Sequence, residues 1–170
     1  MTNPHSRWCT RCRLLSGSRC RIDHVTRPRW QLRSASNRKG MGQLETRMLG
    51  SAPDDRAPDG SDVRVLVRVA RGSMAHFELA PQCTSRAVRH KTVEELWFFL
   101  TGRGEMWRRH EGHEDVVQVH PGIAISIPAG TCFQFRSHGY TPLAAVGVTM
   151  PPWPGPDESE DVDGPWGASF

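Results

Sequence analysis

From Val63 to Thr149 apolar residues return with a period of two, and nowhere in that span with the period of a helix. Successive side chains then point to opposite faces, a pattern that suits an extended strand with one buried face. Val63, Val65, Val67 and Val69 alternate with Arg64, Leu66, Arg68 and Ala70, and the pattern resumes after Gly72 from Met74 to Leu79. Further strands are predicted at 87–90, 94–101, 105–109, 116–119, 123–127, 131–136 and 143–149. Gly102-Arg103-Gly104, Glu111-Gly112, Pro121-Gly122, Ala129-Gly130 and Gly139 punctuate them. About nine short strands at this spacing imply an all-β antiparallel sandwich or barrel, the class that includes jelly rolls.

A chain of 170 residues, 37% of them hydrophobic, has material for one modest core plus tails. The expected division is a basic leader over residues 1–45, a barrel domain over 58–150 and a tail over 151–170. No run approaches eighteen consecutive apolar residues, so no membrane-spanning helix is expected. The net charge of +4 is unevenly spread: residues 1–40 hold ten Arg/Lys against the single acid Asp23, which leaves the rest of the chain net acidic. An acidic body argues against a nucleic-acid surface on the barrel. Five cysteines without a paired framework fit a reducing compartment, and with no apolar signal stretch the expected location is cytoplasmic.

The leader admits three readings. Cys9, Cys12, Cys20 and His24 are zinc-type ligands, although the spacing is short for a finger. An arginine-rich, acid-poor stretch also suits an organellar transit peptide, and the plainest reading is a disordered extension, with Met41 or Met48 as a candidate start. The tail carries five prolines, five acids, Trp153 and Trp166. Proline at that density excludes helix and central strand, and two tryptophans favour a tail lying along the barrel wall, within one subunit or across a dimer.

Two segments resemble the cupin signature. In the first, His90, four residues, Glu95, six residues and Gly102 match, with Gln82 at the usual first glycine and Val88 at the usual first histidine. In the second, Gly122, Pro128 and Gly130 match, with Phe133 at the usual histidine and Ser137 at the usual asparagine. The resemblance covers roughly residues 62–150 and implies an antiparallel jelly-roll barrel around a pocket. In metal-binding cupins it also implies three imidazoles and a carboxylate on iron, manganese, zinc or nickel. Here only His90 and Glu95 remain as candidate metal ligands, and neither Val88 nor Phe133 offers a lone pair, so no cofactor is expected. His76 is the best replacement ligand, although its strand face is ambiguous, and Gln134 should point away from the position of Phe133.

Without a metal, His90 and Glu95 read either as a polar pair that orients a ligand or moves a proton, or as an architectural pair at the barrel mouth. Trp97, Phe99, Phe133 and Phe135 are expected on inward faces, where core and pocket wall can be the same residues. The candidate ligand-binding set is therefore His76, Val88, His90, Glu95, Trp97, Phe99, Phe133 and Phe135, with His90 and Glu95 the catalytic candidates. The expected function is small-molecule binding by a cupin with a degenerate metal site. The alternative is a metal-dependent cupin enzyme of the sugar isomerase, epimerase or dioxygenase kind. The sequence names no ligand and leaves open whether the protein is an enzyme. Arg108, Arg109, His110, His113 and His120 suggest a second site, but His110-Glu111-Gly112-His113 reads better as a hairpin turn with solvated polar residues. The valine-rich strand and the tail are the candidate contacts of a homodimer.

Overall fold

The computed structural model describes residues 44–170, so the expectations for Cys9, Cys12, Cys20 and His24 lie outside the described residues. Eleven strands form two antiparallel sheets. Sheet A holds β1 (Asp55–Arg56), β2 (Asp62–Val69), β3 (Gly72–Leu79), β10 (Leu143–Met150), β5 (Glu94–Thr101) and β8 (Ala124–Ile127), in that spatial order. Sheet B runs β11 (Ser159–Asp161), β4 (Val88–His90), β9 (Cys132–His138), β6 (Arg103–His110) and β7 (His113–Val119). This is an antiparallel jelly roll. Its chain crosses between sheets at the turns marked by Gly102, Pro121-Gly122, Ala129-Gly130 and Gly139, whereas Glu111-Gly112 joins two strands of sheet B.

Alternation in the sequence becomes alternation in burial. Along β5, Glu95, Trp97 and Phe99 are buried while Glu94, Leu96, Phe98 and Leu100 are exposed. The inward faces of the two sheets meet in one core that includes Leu79, Trp97, Phe99, Met106, Phe133, Phe135 and Leu143. Each large side chain removed from water there contributes about 1.5–3 kcal/mol. Gly102 shows why the motif keeps a glycine. Its φ is +74°, and a Cβ would stand 2.4 Å from the carbonyl oxygen of Pro142. Gln82, at the family's other glycine position, adopts φ 60° without that freedom.

Two strands, β1 and β11, have no sequence pattern behind them. β2 also departs from expectation: Val65 and Val69 are 45% and 68% exposed, and only the two residues of β1 pair with its outer edge. That edge is capped by the arm before it. Asp54 donates its N–H to Val63 O and accepts the N–H of Val65 on Oδ2, both at 2.8 Å, and Glu45 Oε2 accepts the N–H of Arg68 at 3.1 Å. Arg47 fixes the Asp54 carboxylate at 2.8 and 2.9 Å. Carboxylates on outward N–H groups blunt an edge that would otherwise accept another strand.

The tail packs against its own subunit. β11 pairs antiparallel with β4, Ser159 opposite His90 and Asp161 opposite Val88. Beyond it, Gln134 donates to the carbonyls of Ser85 and Trp166, each at 2.8 Å, and accepts the N–H of Trp166. Gln134 thus lies on the outer face of sheet B, opposite in sense to Phe133 and Phe135, and Trp166 stacks on Arg136 with 4.3 Å from guanidinium to ring. Glu158, in the 3-10 turn Pro156–Glu158, clamps the β4–β5 turn. It accepts the N–H of Thr92 at 2.5 Å and of Val93 at 2.8 Å, and the Thr92 hydroxyl at 3.0 Å. Burial pushes the Glu158 carboxyl up, but those N–H donors, the hydroxyl and the nearby His90 outweigh it and hold the group below its ordinary range. No helix among the described residues is long and apolar enough to cross a membrane.

Candidate functional site

His90 ends β4 and Glu95 is the second residue of β5, so the turn between them brings residues of the two sheets together. Both side chains are buried, and Nδ1 of His90 lies 3.0 Å from Oε1 of Glu95. The approach is close but not aligned as a hydrogen bond, and Nδ1 has no other partner. Oε2 of Glu95 accepts the indole N–H of Trp97, two residues along the same inward face. One carboxylate therefore joins an imidazole to an indole at the edge of an apolar core.

Aromatic rings make the walls. Trp97 stacks on Phe77 with centroids 4.9 Å apart and planes 8° apart, and the ring of Phe135 meets it edge-on at 5.3 Å. Gly147 of β10 lies opposite Trp97, where a Cβ would come within 2.7 Å of the Phe77 ring and 3.1 Å of the Trp97 nitrogen. A glycine there lets the stacked pair lie against the strand. Phe133 meets the His90 ring edge-on at 5.1 Å. Val88 and Phe133 are neighbours across β4 and β9, each 1% exposed.

The structure brings Val88, His90, Glu95, Trp97, Phe99, Phe133 and Phe135 together on inward faces. It places His76 elsewhere. Phe77 packs inward against Trp97, so its neighbour His76 points outward, opposite Arg64 and Val146. His76 is buried there with Nδ1 unpaired, and burial, aided by the charge of Arg64, pulls its imidazole below the ordinary range.

Two residues near the site take roles that the sequence does not assign them. The ring of Trp153, from the tail, covers His90 at 4.9 Å and 64°. Arg108 takes Asp115 in a two-point ion pair at 3.1 and 2.6 Å and donates to the carbonyl of Ser126 at 2.9 Å, which ties sheet B to β8 of sheet A. It is a structural bridge between the sheets. His110 and His113 close the β6–β7 hairpin, and His110 Nδ1 engages the hydroxyl of Thr131 at 3.1 Å.

The donors do not fit the four-ligand metal centre that the cupin resemblance implies. Val88 and Phe133 stand at two ligand positions, His76 faces the other way, and no group of three or more His, Cys, Asp or Glu gathers among the described residues. What the arrangement offers is an imidazole beside a buried carboxylate, with flat apolar walls around the pair.

Comparison with known proteins agrees with this architecture. The family described as Cupin domain matches residues 75–149. The capsular polysaccharide assembling protein CapF from Staphylococcus aureus superposes with a TM-score of 0.54 at 17% identity, covering 69% of this chain and 32% of that one. An uncharacterized conserved protein with a double-stranded β-helix domain from Klebsiella pneumoniae gives 0.53 at 15% identity, covering 71% and 100%. A predicted oxalate decarboxylase from Thermotoga maritima gives 0.50 at 16% identity, covering 61% and 98%. The chain thus spans about a third of CapF, and identities this low speak for the fold alone. No curated protein matches the chain in sequence. With the two-sheet antiparallel barrel, the glycine and proline positions of both motifs and the family match all in agreement, residues 75–149 form a cupin domain.

Proposed function

We propose that the protein binds a small, largely apolar organic molecule at the His90–Glu95 end of its barrel. The observation that carries this reading is the buried His90–Glu95–Trp97 array set among aromatic walls. Burying an imidazole and a carboxylate costs free energy that hydrophobic side chains of similar volume would not. Moreover, Nδ1 of His90 has no aligned acceptor, so a polar group on a ligand can complete its hydrogen bonding. The rings supply non-directional contact area, and the pair supplies orientation.

The test is a thermal-shift and calorimetric screen of the purified full chain against neutral aromatic, heteroaromatic and short carboxylic compounds. A hit is expected to lose at least tenfold in affinity in His90→Ala and in Glu95→Gln. Hits that bind both variants as tightly as the wild type reduce the pair to architecture. Elemental analysis of protein purified without chelator gives an independent check. Near-stoichiometric iron, manganese, zinc or nickel that disappears in Glu95→Ala overturns the metal-free reading.

A further inference from the structure

We infer that Trp153 is a built-in occupant of this site, and that the ligand is a neutral planar aromatic of one or two rings that displaces it. The inference rests on the barrel's being a small-molecule binder and names the chemistry of what it takes. His90 sits between two rings: Phe133, part of the core and 1% exposed, and Trp153, contributed by the tail and half-buried. The indole of Trp153 therefore stands where a flat molecule would complete the aromatic surround of the imidazole. It is the one ring of that surround that no strand carries.

The strap that holds Trp153 is tethered firmly at its ends and lightly at its middle. Upstream it continues from β10, and downstream Glu158 and β11 fix it to the β4–β5 turn and to β4. In between, Pro151, Pro152, Pro154 and Pro156 have no N–H to give, and Trp153 supplies the main-chain contacts. Its N–H donates to Ser73 Oγ at 3.0 Å and its carbonyl accepts from Arg68 Nη2 at 3.1 Å. Two hydrogen bonds, one part-buried and one exposed, are a small barrier beside the packing that seats a core ring. The strap can lift while the tail stays docked.

The ligand's class follows from what it replaces. It presents a flat face or edge to His90 as the indole does, and it carries a donor or acceptor for the His90–Glu95 pair. An anion is disfavoured by the Glu95 carboxylate at the same place. While Trp153 occupies the site, affinity for the ligand falls by the fraction of molecules in which the strap is lifted.

Free indole is the probe. In the full chain carrying Trp153→Ala, calorimetry should show saturable indole binding at least tenfold tighter than in the wild type. Adding His90→Ala should weaken it, and Trp166→Ala, which removes the tail's other tryptophan, should leave indole binding at the wild-type level. In the wild type, indole at high concentration should shift the Trp153 ring N–H resonance, an observation that does not depend on how any variant folds. Indole that binds the wild type without moving that resonance overturns the displacement while leaving small-molecule binding intact. Equal binding by Trp153→Ala and Trp166→Ala likewise overturns the displacement, and no binding by wild type and Trp153→Ala alike overturns the aromatic class. Failure of the binder reading itself shows separately, as ligands whose affinity ignores His90→Ala.

Discussion

Replacing Glu158 with alanine removes the acceptor of three donors in the turn that presents His90 and Glu95. Val93 is 0% exposed, so its N–H, bonded at 2.8 Å in the native protein, finds no water in the variant. A buried donor left unpaired costs about 1–3 kcal/mol, and a bond to a charged acceptor lies at the upper end of that range. Thr92 is exposed, so its N–H and hydroxyl re-pair with solvent and add about 0.5–1 kcal/mol. The expected loss is about 3 kcal/mol, which for a domain of this size lowers Tm by about 10 °C. Glu158→Gln keeps one acceptor oxygen and should lose less than half as much. The acid limb separates the variants further. Because the Glu158 carboxyl is held below its ordinary range, its contribution is present above about pH 4.5 and disappears as pH falls through the folded value, so the Ala variant should show a flatter acid limb. Circular dichroism melts between pH 3 and 8, with hydrogen exchange at the Val93 amide, measure both effects. An alanine variant melting within 2 °C of the wild type, or a glutamine variant as damaged as alanine, would falsify the clamp.

Asp59 titrates in the opposite sense. Burial raises its carboxyl, with the charge of Glu95 adding and the Ser61 N–H and hydroxyl bonds at 2.8 and 2.7 Å opposing, so ionisation costs stability as pH rises from about 3.8 through the folded value. Asp59→Asn keeps an acceptor for Ser61 without the charge and should match or exceed the wild type at pH 7, as a pH series of urea melts would show; a less stable Asn variant contradicts the sign. At the other end of the fold, a chain starting at Met41 should melt with the full-length protein, whereas one starting at Met48 loses Glu45 and Arg47 from the β2 edge. Light scattering should find the shorter chain more prone to self-association, and equal behaviour of the two would remove the arm's capping role.

Most of the strand pattern is legible in the sequence because half of each strand is buried. Glu95, Trp97 and Phe99 announce β5 by the contrast with their exposed neighbours. Short strands without that contrast escape: β1 and β11 exist because a partner edge is free to pair, a circumstance that no local pattern records. The pairing of His90 with Glu95 is readable because the motif spacing puts them on adjoining strands. The clamp of Glu158 and the cover of Trp153 are not, since Glu158 acts on Thr92 across 66 residues through a segment whose composition suggests only a wall-hugging tail. His76 is ambiguous for a different reason: apolar Met74 shares its phase along β3 with His76 and Glu78, and the stacking of Phe77 on Trp97 shows that the Ala75, Phe77 and Leu79 phase faces inward. Arg108 looks like any exposed charge until β8 is seen to offer it a carbonyl.

The stretch that matches the family, residues 75–149, begins inside β3 and stops one residue short of the end of β10. The capping carboxylates of Asp54 and Glu45, all of β2, the Glu158 clamp, β11 and the indole over His90 lie outside it. The part that makes the protein recognisable is therefore not the part that makes it well behaved. A fragment cut at those limits would keep the inward faces and both motifs, yet expose the bonding edges of β3 and β4 and leave the site uncovered. Modularity in this chain belongs to the whole of residues 44–170: a transplanted barrel needs its arm and tail to travel with it.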